Sequence, residues 1–120
     1  MRSLVFENTK EGKERWDLCY GALMLNPEGY AKETRRVARR LLEKFEQDAK
    51  AVGTEDSLIR YEMPDNEVVI NLEEAEFSLL KTVFDNTKWA RVSIIKADKC
   101  MEWLESIQES KPRKVDEANA

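Results

Sequence analysis

Two short β-rich runs set into an otherwise helical pattern limit what this chain can become. Leu58-Ile59-Arg60-Tyr61-Glu62 and Glu67-Val68-Val69-Ile70-Asn71 flank Met63-Pro64-Asp65-Asn66, where the proline suits the second position of a turn and Asp and Asn tolerate the conformations that follow. The pattern predicts a β-hairpin. A two-stranded hairpin is marginal alone, so helices must cover it, or Leu4-Val5-Phe6 or a second subunit must extend it. Either route gives an α+β domain: a helical pair, a central hairpin that an N-terminal strand can join, and a second helical pair.

Helix signals surround the hairpin. Asn8 can cap a first helix with Glu11 reaching back, and Trp16, Cys19, Tyr20 and Leu23 then share one face as far as about Leu25. Between Leu18 and Leu25 there is no charge, so the end of this helix is apolar on every side. Asn26 as cap and Pro27 as first helical residue predict a second helix reaching about Val52 and closed by Gly53. Its inward face is Thr34, Ala38, Leu41, Leu42, Phe45 and Ala49. Asn71-Leu72-Glu73-Glu74 repeats the cap signature and predicts a third helix over 72–86, with Leu72, Ala75, Leu79, Leu80, Val83 and Phe84 inward and Phe77 unassigned.

A fourth helix is predicted from Trp89 to about Ile107. Ala90, Ile94, Ala97, Met101 and Leu104 follow a 4-3-4-3 spacing, and Val92, Cys100, Trp103 and Ile107 widen the stripe to about half the circumference, more than one neighbouring helix requires. Ile95 lies outside it, among Arg91, Asp98 and Glu102. Residues 109–120 hold too little apolar material to repay their ordering, so the expected organisation is one domain over 1–108 and a loose tail over 109–120.

Composition narrows the function classes. The 120 residues are enough for one core, and with 42 % hydrophobic residues and ten aromatics that core can form. No apolar run approaches the roughly 20 residues that cross a bilayer, and the start of the chain lacks the features of a signal peptide, so the cytoplasm is the expected address. The chain has no histidine, which removes Ser-His-Asp and Cys-His nucleophiles, histidine acid–base chemistry and imidazole metal ligands. An enzyme is not expected. Residues 1–50 carry a net +2, residues 51–110 a net −7 and residues 111–120 a net +1, a division that implies either internal packing of opposite charges or two surfaces with different partners.

Lys32, Arg35, Arg36, Arg39 and Arg40 gather on one helix face opposite its apolar side, a patch that could contact phosphates. Glu33 and Glu43 stand within pairing distance along the helix and no aromatic interleaves, so a solvated face is the plainer reading and polyanion binding the alternative. Cys19 and Cys100 belong to no CxxC pair and fall on apolar faces, where each reads as a small core residue without the cationic surroundings of a reactive thiol. Two cysteines without histidine make a poor zinc site. Glu73, Glu74 and Glu76 lie in the first turn of a predicted helix, where negative charge is favoured without any catalytic role. Asp65, Asn66 and Glu67 lack the spacing and glycine of a calcium loop, and four scattered glycines form no phosphate cradle. No metal, cofactor or small-molecule substrate is implied.

The strand from Glu67, the run Asn71-Leu72-Glu73-Glu74-Ala75-Glu76-Phe77-Ser78-Leu79-Leu80, Trp89 and the closing Trp103-Leu104 resemble small proteins encoded by bacteriophages and prophages. The resemblance covers about a third of the chain and transfers no catalytic or binding residue. It implies a small accessory role in assembly, regulation or contact with a host protein. The surplus apolar positions agree: Leu18, Met24, Leu25, Val92, Ile95 and Trp103 are the candidate interaction surface, for a protein partner or a second copy in a homodimer.

Overall fold

The computed structural model describes residues 1–26, 29–53 and 60–113. Its architecture is α+β, with a hairpin between two helical pairs and a separate N-terminal strand pairing: β1 (Arg2–Phe6), α1 (Lys10–Met24), α2 (Lys32–Glu46), β2 (Lys50–Val52), β3 (Arg60–Glu62), β4 (Val68–Leu72), α3 (Glu74–Asn86) and α4 (Ile94–Ser106), the last entered through a 3-10 turn, Arg91–Ser93.

The strand partners differ from the expected hairpin. β3 does not fold onto β4; it pairs antiparallel with β2, Ala51 opposite Tyr61, while β4 pairs antiparallel with β1, Leu4 opposite Ile70 and Phe6 opposite Val68. Burial explains the exchange. Val68, Ile70 and Leu72 alternate on the buried side of β4 and match Leu4 and Phe6, whereas β3 offers only Tyr61 between two charged residues. The turn at 63–67 is tied to α1 instead: Lys13 binds the Asp65 carboxylate at 2.9 Å, and the Asn8 amide donates to the Asp65 carbonyl at 3.1 Å. Leu58 and Ile59, assigned to the first hairpin strand, lie outside the described residues.

Helix starts also move. Thr9, not Asn8, caps α1, its hydroxyl accepting from the Gly12 N–H at 3.0 Å. α2 starts at Lys32, with Ala31 before it and Gly29 at φ 68°; the Asn26 amide donates to the Gly29 carbonyl rather than capping a helix. Pro27 lies outside the described residues. α2 ends at Glu46 because residues 50–52 form β2, and Gly53, at φ 139°, follows that strand instead of closing a helix. Glu73 caps α3 in a reciprocal capping box with Glu76, which leaves Leu72 in β4, buries Phe77 and exposes Ala75. Trp89 precedes α4 and packs its ring 4.9 Å from that of Phe84.

One core joins these elements. Phe6, Trp16, Tyr20 and Phe45 stack or tilt against one another with ring centres 5.0–6.2 Å apart, and Leu23, Leu41, Leu80, Phe84 and Leu104 extend the cluster. The inward face read for α1 is buried, and of the one read for α2 Ala38, Leu41 and Phe45 are, while Thr34 and Leu42 are half-buried and Ala49 lies beyond the helix. Residues 109–113 run beside the N-terminal strand pair. Glu109 bridges to Arg2, Ser110 exchanges backbone hydrogen bonds with Met1 at 2.7 and 2.8 Å, and Arg113 pairs with the Asn71 side chain at 2.7 and 2.9 Å. These polar contacts along β1 and β4 supply what the apolar count of 109–113 omits; residues 114–120 lie outside the described residues.

Candidate interaction surfaces

The surplus apolar positions separate into two groups. Met24 and Leu25, at the end of α1, are 57 % and 70 % exposed, and Val92 and Ile95, at the start of α4, are 88 % and 70 % exposed. Leu18 and Trp103 are not part of that surface. Leu18 is half-buried against the core, and Trp103 lies with its ring 5.3 Å from that of Phe6 and the Arg15 guanidinium 5.2 Å from its centre. Ile94, assigned to the inward stripe, is instead 47 % exposed, because α4 begins at that residue and buries only Ala97, Cys100 and Leu104 completely. The later start of α4 is what periodicity alone could not reveal.

Leu25 also borders an open hollow of about 650 Å³ with Tyr30, Leu79, Val83 and Asn86. Burial pushes the Tyr30 hydroxyl above its ordinary titration range, and that hydroxyl donates to the Leu23 carbonyl at 2.8 Å, so it pins the α1–α2 connection. Five large apolar side chains are therefore left in solvent at two helix ends, beside a rigidly packed core.

The basic face of α2 is exposed at Lys32, Arg35, Arg36, Arg39 and Arg40. Arg39 pairs with Glu43 at 2.9 Å, and among the described residues this is the one ion pair that the five cations make. Glu33 does not close on Arg36, although both line the same shallow depression. Further along α2, Lys44 serves the interior rather than the surface. Its ammonium meets the buried Glu76 carboxylate at 2.7 Å and the Asn71 carbonyl at 2.8 Å, joining α2, α3 and β4. Glu76 is thus a positioned structural acid, a role that reading it as one of three first-turn glutamates missed.

A second polar hollow is lined by Lys13, Asp17, Lys50, Glu62 and Asp65. Its carboxylates are driven in opposite directions. Desolvation, followed by the charges of Glu62 and Glu14, raises Asp17 above its ordinary value, while the hydrogen bond and charge of Lys13 lower Asp65. Among the described residues no cluster of three or more His, Cys, Asp or Glu is arranged to hold a metal ion, and no helix is long and apolar enough to cross a membrane.

The two cysteines, 81 residues apart in sequence, meet between α1 and α4 with their sulfurs 3.9 Å apart, and both are buried. The core assignment of each is what the structure shows; their contact was invisible to a reading of local spacing. Arg15, one turn before Cys19, supplies a positive charge near both sulfurs, contrary to the expectation of no cationic surroundings. Comparison with protein-family models, curated proteins and solved structures finds no match.

Proposed function

We propose that the chain is a non-enzymatic accessory protein of the cytoplasm that works by protein–protein contact and assembles with a second copy of itself. The observation that carries this reading is the exposure of Met24, Leu25, Val92, Ile94 and Ile95, five large apolar side chains at the ends of two helices whose remaining faces are packed or charged. Water contact at such side chains is relieved when a matching surface covers them, and a two-fold dimer presents the same patch twice. The resemblance of residues 67–107 to phage-encoded proteins points the same way, to assembly, regulation or contact with a host protein. Sedimentation velocity over a wide concentration range tests it: the wild type sediments as a dimer, and Met24→Glu or Ile95→Glu shifts it to monomer without loss of helical signal. Identical sedimentation of wild type and both variants would remove these residues from any self-contact.

A second reading is supported by the α2 face. Lys32, Arg35, Arg36 and Arg40 make no ion pair among the described residues, so the counter-charges that argued for a merely solvated face neutralise only Arg39. Polyanion binding through this face predicts anisotropy changes with duplex DNA that weaken with salt and are lost in Arg36→Glu/Arg40→Glu. The protein's net charge of −4 opposes such binding, so self-association ranks first.

A further inference from the structure

Cys19 projects from α1 and Cys100 from α4, and their sulfurs touch at 3.9 Å. Ala22, one turn beyond Cys19, and Ala97, one turn before Cys100, are also buried, so the same faces of both helices carry small side chains beside the cysteines. These are the two cysteines of the chain, and neither has another thiol to pair with in the same molecule.

We propose that Cys19 and Cys100 are a reversible dithiol–disulfide couple, oxidised by hydroperoxide, that bonds α1 to α4. The roles follow from the contact. The two sulfurs share one S–H hydrogen bond that either can donate; held toward Cys100 it lowers that thiol while raising Cys19, and the Arg15 charge favours thiolate at either sulfur. The Cys100 thiol gives up its proton, and its sulfur attacks one oxygen of hydrogen peroxide, breaking the O–O bond, forming a sulfenic acid and releasing hydroxide, which takes up that proton as water. The Cys19 sulfur then attacks the Cys100 sulfur, the S–O bond breaks, and the Cys19 proton leaves with the oxygen as water. Two thiols and one peroxide thus become one disulfide and two waters. Burial limits the reagent to one small enough to enter when α4 loosens, which selects hydrogen peroxide over bulky disulfides. The bond joins the two helices that carry the exposed apolar side chains, yet it does not depend on whether that surface dimerises.

Intact-mass analysis of the full chain decides the matter. Reduced protein is treated with a modest excess of hydrogen peroxide, quenched, unfolded and alkylated. The expected product is a single chain about 2 Da lighter with no alkyl group, returning to two alkylated thiols after dithiothreitol. In Cys19→Ala or Cys100→Ala the partner thiol is gone, and neither variant shows the loss of about 2 Da. Wild-type protein that keeps both thiols, joins two chains through sulfur, or gains oxygen without losing its free thiols together would overturn the proposal. These readouts are independent of the sedimentation results above, and the wild-type measurement needs no variant to fold.

Discussion

Lys44 and Glu76 carry more of the fold than any surface ion pair in the molecule. The Glu76 side chain is 1 % exposed, so replacing Lys44 by alanine leaves a buried carboxylate with, among the described residues, the Glu73 N–H alone to satisfy it. The expected loss is about 3 kcal/mol, readable from urea unfolding, whereas Arg39→Ala, which breaks an exposed pair, costs about 0.5 kcal/mol. Equal effects would show that burial does not distinguish the two pairs. Asp17 behaves oppositely. Its folded-state pKa is raised, so the folded protein binds an extra proton between the ordinary aspartate value and the raised one, and stability falls as pH rises through that window. Asp17→Asn is expected to raise the thermal midpoint at pH 7 and to have no effect at pH 3. A loss of stability at pH 7 would show that the carboxylate is held by an attraction. Neither role was legible in the sequence, because what a carboxylate does depends on which element covers it; Glu76 faces Lys44 of α2, whereas Glu74, in the same turn, is exposed and pairs with Arg2.

At the level of elements, glycines give the sharpest contrast. A Cβ on Gly12 would overlap the Glu7 carbonyl where β1 passes the start of α1, while a Cβ on Gly21, also in α1, meets nothing within 4 Å. Gly12→Ala is expected to cost about 3 kcal/mol, and Gly21→Ala to add about 0.5–1 kcal/mol, as helix propensity alone dictates. Thermal melts of the two variants shifting in the same direction would contradict that placement of α1. Helical periodicity was the readable part of the fold: the buried faces of α1 and α2 follow directly from Trp16, Cys19, Tyr20 and Leu23, and from Ala38, Leu41 and Phe45. Strand pairing was not. Choosing β1 over β3 as the partner of β4 depends on matching buried faces across about 65 residues, a long-range term absent from turn signals at Pro64. Helix starts slipped for a related reason, since Asn8, Asn26 and Asn71 are all competent caps but each is used in a turn or tertiary hydrogen bond instead.

For the whole molecule, the arithmetic of apolar faces anticipated that something would be left uncovered, and the folded chain leaves it at Met24, Leu25, Val92, Ile94 and Ile95. Of the six residues read as a surface, Leu18 is half-buried against the core, and Trp103 packs on Phe6 with the Arg15 guanidinium over its ring. Exposure of Met24, Leu25 and Val92 is a property of helix ends, which periodicity within a helix describes least well, whereas Ile95 lies on the polar arc that periodicity gave it. Light scattering of the purified chain in reducing buffer at micromolar concentrations tests self-association most directly. The expected mass is about 28 kDa, twice the 14.0 kDa chain, falling to the single-chain value in Ile95→Glu; a wild-type mass of 14.0 kDa at every concentration would contradict self-association through these helix ends.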